Sequence, residues 1–139
     1  MSEPVRGLVV AHSSLAEGLC AAVRQIAGVG AEALRPLTNE GCGPEGLLEA
    51  LHRELGDAPA ILFTDLTSGS CALASRKASL SRSDTALICG VNLPILLDFV
   101  FHRDLPLPQL VDRLVEKGRT GINGAYKEGT AHADRALSG

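Results

Sequence analysis

The sequence predicts an α/β fold with a mainly parallel, doubly wound sheet and helices on both faces, and three observations carry that prediction. Short apolar runs alternate with segments of helical periodicity, the pattern of right-handed βαβ crossovers. The runs are rich in Val, Leu and Ile, as in strands covered on both sides. Hydrophobic residues make up 45% of the chain, yet Trp is absent, Tyr occurs once and Phe three times. The core must therefore be built from aliphatic side chains. At 139 residues the chain is most simply one domain, long enough to bury roughly two-thirds of its unfolded surface.

In chain order, Arg6 to Ala11 reads as the first strand. Residues 14–27 read as a helix with Leu15, Leu19, Val23 and Ile26 on one face, Ser13 or Ser14 as cap and Gly28 as stop. Ala31 to Leu37 is a weaker strand signal, followed by turn residues through Pro44, which suits the first turn of the next helix. That helix runs to about Leu55, with Leu47, Leu48, Leu51 and Leu55 on its inner stripe. Ala58 to Asp65 is a buried strand, and the polar loop Thr67-Ser68-Gly69-Ser70 opens a third helix through about Leu80. Thr85 to Cys89 is the fourth strand, and a very apolar helix covers Ile95 to Phe101. Pro106 and Pro108 then break the chain before an amphipathic helix, marked by Leu110, Val111, Leu114 and Val115, that ends at Gly118. Residues 1–122 form the domain, and residues 123–139 lose periodicity and read as a polar tail.

Three loops should meet at the carboxyl edge of such a sheet: those after Ala11, Phe63 and Cys89. Ligands and chemistry collect at that edge. His12 stands at the end of the first strand, where it could accept a group, relay a proton or bind a metal. If the strands follow the flavodoxin-like order 2-1-3-4, Asp65 falls beside His12. A carboxylate holding one imidazole N–H leaves the other nitrogen basic, able to attack phosphorus. Ser68, Gly69 and Ser70, at a helix N-terminus, would hold phosphoryl oxygens. The competing structural roles are a histidine capping a helix and an aspartate closing a turn.

Other chemistries fit less well. His12 and Asp65 could join Cys71 or Cys89 around zinc, but no pair has metal-ligand spacing, so no metal is expected. The loop lacks the G-x-S-x-G elbow of a serine hydrolase, because Thr67 stands where the first glycine belongs. No phosphate-binding P-loop occurs. His52, His102 and His132 read as solvated or helix-capping residues, and Cys71 as a packing residue.

The formal charge is −3, with no Lys/Arg run, which argues against nucleic acid. Cys20, Cys42, Cys71 and Cys89 form no C-x-x-C pair, so neither a disulfide framework nor a zinc ribbon is expected. No segment reads as a signal peptide, and no apolar stretch reaches the roughly 18 residues of a membrane span. The expected compartment is a reduced cytoplasm.

With these loops in view, the chain resembles the enzyme IIA component of the mannose/fructose-family phosphotransferase system (PTS) over about residues 6–122. The likeness rests on Val9-Val10-Ala11-His12-Ser13, on Asp65-Leu66-Thr67-Ser68-Gly69-Ser70-Cys71, on Gly90-Val91-Asn92-Leu93-Pro94 and on the Gly118-Arg119-Thr120-Gly121-Ile122 ending. It implies a phosphotransferase subunit with no cofactor: His12 takes a phosphoryl group from phosphorylated HPr and passes it to a IIB partner. Asp65 then orients His12, while Ser13, Ser68, Gly69, Ser70 and Asn92 belong to the phosphate-holding edge. The resemblance also implies a homodimer in which a C-terminal strand after Arg119 is exchanged, and membrane contact only through other PTS subunits. The family loop commonly reads D-x-x-G-G-S-P; here Ser68 replaces the first glycine and Cys71 the proline. Two other readings stay open: the phosphoryl donor subunit of dihydroxyacetone kinase, and a non-catalytic interaction module of the same fold.

Overall fold

The computed structural model describes residues 3–28 and 32–127. Four strands, β1 (Arg6–Ala11), β2 (Leu34–Thr38), β3 (Ala60–Thr64) and β4 (Thr85–Cys89), form one parallel sheet in the order β2-β1-β3-β4. Five helices connect or follow them: α1 (Leu15–Ala27), α2 (Pro44–Leu55), α3 (Ser70–Leu80), α4 (Leu93–Val100) and α5 (Leu107–Thr120). The flavodoxin-like order expected from the sequence is the order observed.

Alternation along the strands feeds two cores. Val9, Ala11, Ile61, Phe63 and Ile88 face α1, α4 and α5, where Leu96, Phe99, Leu110 and Leu114 are fully buried. Leu8, Val10, Ala60 and Leu62 face α2 and α3, meeting Leu47, Leu51, Leu55 and Ala74. Phe63 and Phe99 meet edge to face with ring centroids 5.2 Å apart, which locks α4 onto the sheet.

Several local expectations shift. The buried face of α1 is Ala16, Cys20 and Val23, while Leu15 and Ile26 are 45% and 61% exposed. The stripe read from the sequence is rotated by about one residue, toward Ala16 and Cys20. The helix α4 begins at Leu93 and not at Ile95, since Asn92 caps it by accepting the Ile95 amide at 3.1 Å. Pro108 does not break the chain; it sits in the first turn of α5, where its missing N–H is no loss.

Gly118 was expected to end the last helix. Instead it lies inside α5, and a Cβ there would stand 2.5 Å from Cδ1 of Ile95. Its bare backbone is what lets α5 approach α4. Residues 121–127 form no strand or helix, and the rest of the expected tail, with His132, lies outside the described residues.

Candidate functional site

Strand register builds the site. Val10 pairs with Thr64 across β1 and β3, so the residues just past both ends, His12 and Asp65, are brought face to face. Asp65 Oδ2 accepts two bonds from His12, the backbone amide at 3.0 Å and the ring Nδ1 at 2.8 Å. Its other oxygen, Oδ1, accepts the Leu66 amide at 3.0 Å. The Asp65 side chain is only 10% exposed, whereas that of His12 is 40% exposed. Burial pushes the Asp65 carboxyl up, but the hydrogen bonds and charge of His12 outweigh it and hold the group below its ordinary value.

A carboxylate only accepts hydrogen bonds, so the 2.8 Å contact places a proton on Nδ1. The neutral ring then carries its lone pair on Nε2. The arrangement is a histidine with one nitrogen anchored and the other free to act as a nucleophile.

The turn after His12 is strained. Ser13 has φ 53°, the left-handed region that few L-residues adopt. Its carbonyl is held at 2.8 Å by the Thr38 hydroxyl, which also accepts the Glu40 amide at 3.1 Å. Ser14 precedes α1 in the capping position, but its hydroxyl makes no capping bond. The expectation that Ser13 or Ser14 caps through its side chain is thus replaced by a tie to β2.

The third loop arrives from the other side. Gly69 caps α3 with φ 96°, a conformation open to glycine, and its missing Cβ would lie 3.9 Å from Cε1 of His12. Ser70 and Cys71 open the helix, whose first amides have no partner within it and carry the positive end of its dipole. Arg76 fastens the loop by donating to the Thr67 carbonyl at 3.1 Å. Ser68 is exposed on this loop. Cys71 is fully buried, with Sγ 3.9 Å from Nδ1 of His12. Burial first, then the Asp65 charge, push its thiol above the ordinary value and keep it protonated.

Asn92 lies at the carboxyl edge, as expected, but its amide braces the fold. Its oxygen caps α4 and its nitrogen donates to the Gly118 carbonyl at 3.0 Å. The structure also adds a loop that the sequence reading left out. Asn39, just past β2, directs Nδ2 toward the Ser70 hydroxyl at 3.5 Å, the outer limit of a hydrogen bond. Strand order held the signal: β2 lies beside β1, so its carboxyl-end loop must border His12.

Of the remaining histidines, His52 is exposed on α2. His102 caps α4, with Nδ1 2.8 Å from the Asp98 carbonyl oxygen.

The site is thus an anchored histidine beside a helix N-terminus, at the switch point of a parallel sheet. The family model described as PTS system fructose IIA component matches residues 7–114. The chain belongs to that family. Solved structures agree on the fold. A phosphotransferase system component EIIA from Streptococcus agalactiae is 25% identical, with a TM-score of 0.80, covering 86% of this chain and 96% of that one. A mannose/sorbose specific IIA subunit from Enterococcus faecalis is 20% identical with a TM-score of 0.78, covering 91% and 98%. A PTS IIA protein associated with a fucose utilization operon, from Streptococcus pneumoniae, is 21% identical with a TM-score of 0.73, covering 89% and 96%. No curated protein matches the chain. Membership of the IIA family gives the protein a role in phosphoryl transfer in general terms.

Proposed function

We propose that the chain is a phosphocarrier of a sugar phosphotransferase system, with Nε2 of His12 as the acceptor. The observation that carries this reading is the 2.8 Å contact between Nδ1 and Asp65, because it leaves Nε2 with the lone pair. The Nε2 lone pair attacks the phosphorus of phosphorylated HPr, the P–N bond to the HPr imidazole breaks, and that imidazole leaves with the bonding electrons. Asp65 keeps its hold on the Nδ1 proton and offsets the positive charge that develops on the His12 ring. Ser70 and the first amides of α3 hold the phosphoryl oxygens, with Ser13, Ser68 and Gly69 on the loops beside them. A IIB component then takes the group by the reverse displacement.

HPr and IIB are cytoplasmic partners in this reading, and the chain reaches a membrane only through other PTS subunits. Among the described residues, no helix is long and apolar enough to cross one. Incubation with phosphoenolpyruvate, enzyme I and HPr should label the chain with an acid-labile phosphate that His12→Ala abolishes. An unlabelled wild type would leave a binding module of the same fold as the surviving account.

A further inference from the structure

Three metal-binding side chains, separated by up to 59 positions in sequence, converge beside the acceptor nitrogen. One ligand atom each from His12, Asp65 and Cys71 lies within 4.8 Å of the others. Within that set Nδ1 is 2.8 Å from Asp65 Oδ2 and 3.9 Å from Cys71 Sγ. Atoms bonded to one zinc at roughly 2.0–2.3 Å stand about 3–4 Å apart, so Sγ already lies at such a distance from Nδ1, and His12 and Asp65 need only part by a few tenths of an ångström to admit the ion. The donors are an imidazole nitrogen, a carboxylate oxygen and a thiolate, a mixture that selects zinc over magnesium or calcium. Two negative ligands neutralise a divalent ion, and a three-residue set leaves the fourth position to water.

We propose that His12, Asp65 and Cys71 form an inhibitory zinc site, in which the metal and the phosphoryl group exclude one another on a single imidazole. The exclusion rests on the proposed acceptor role of His12, whereas the metal site stands on its geometry alone. For zinc to bind Nδ1, the proton there must move to Nε2, and the Cys71 thiol must release its proton to solvent. Nε2 then has no lone pair with which to attack phosphorus. In the other direction, phosphorylation at Nε2 keeps Nδ1 protonated toward Asp65, so the metal loses its nitrogen ligand. Cys71 is the residue that makes this site available, and it stands where the family loop carries proline, which has no ligand atom.

The test uses the full chain and Co²⁺ as a spectroscopic stand-in for zinc. Wild type should bind one ion with thiolate-to-cobalt charge-transfer absorption, displaced by Zn²⁺. Cys71→Ala and Cys71→Ser should lose that absorption while melting as folded proteins, and Cys42→Ser, altering an exposed cysteine, should keep it. An absent band in wild type, or one that survives in both Cys71 variants, overturns the site. Transfer is then followed from purified phospho-HPr with enzyme I removed. Zinc-saturated wild type should be labelled at least tenfold more slowly than metal-free protein, and the phosphorylated chain should bind Co²⁺ at least tenfold more weakly. Equal rates with the metal bound overturn the exclusion. If metal-free wild type takes no label, the carrier reading fails and the exclusion with it, while the cobalt spectrum still decides the metal site.

Discussion

The two bonds from His12 to Asp65 act on different parts of the histidine. The amide bond fixes where the backbone leaves β1, and the Nδ1 bond fixes which ring nitrogen is free. Asp65→Asn keeps the shape of the side chain and removes its charge, so the fold should survive while the ring loses its electrostatic partner. Transfer of phosphate to His12 should fall by roughly 10–100-fold, the usual cost of losing a group that orients a histidine. Rapid-quench labelling beside a thermal melt checks this, and an unchanged rate would remove Asp65 from the mechanism. His12, Asp65 and Ser70 were legible in the sequence because each follows an apolar run or opens a helix. Thr38 and Asn39 were not, because a weak strand signal gave no reason to rank the loop after it. Only the pairing of β2 with β1 brings those side chains to Ser13 and Ser70.

At the scale of elements, α4 and α5 behave as one unit clamped to the sheet. Gly118 leaves no room for a methyl against Ile95, so Gly118→Ala forces the helices apart at a cost of about 1–3 kcal/mol, read as a lower urea midpoint. A second clamp is ionic. Asp98 is bound by Arg113 at 2.7 and 3.1 Å and approached by His102 Nδ1 at 3.4 Å. Burial raises the Asp98 carboxyl, but Arg113, His102 and Lys117 outweigh it and leave the group below its ordinary value of 3.8. A lowered folded value means that the stabilisation is fully present above 3.8 and is lost as pH falls through the folded value. Chemical denaturation at a series of acid pH values should show this loss in wild type and a shallower dependence in Asp98→Asn. Equal slopes would show that the clamp contributes nothing. Periodicity located both helices, but not this contact. It could not tell a helix-ending glycine from one that lets helices touch, since that depends on what packs opposite. The rotation of α1, which leaves Leu15 outside and Ala16 inside, has the same origin.

For the whole molecule, the order β2-β1-β3-β4 leaves β4 paired on one side only among the described residues. An unpaired edge invites another strand, and the homodimer proposed from the family resemblance would cover it with residues after Arg119 of a partner chain. Sedimentation equilibrium should therefore find a dimer, and a chain ending at Thr120 should shift toward monomer. A full-length chain that stays monomeric at all concentrations would sink the exchange. The sequence by itself determined the kind and order of the elements, because hydrophobic period and turn chemistry are local properties written into neighbouring residues. It also placed a histidine, an aspartate and a serine at the ends of the right elements. The tertiary structure decided which of those ends touch, which face of each helix is inside, and that Cys71 stands against His12 from 59 residues away. Those outcomes depend on strand register and on the volumes of side chains far apart in the chain, and no local pattern records them.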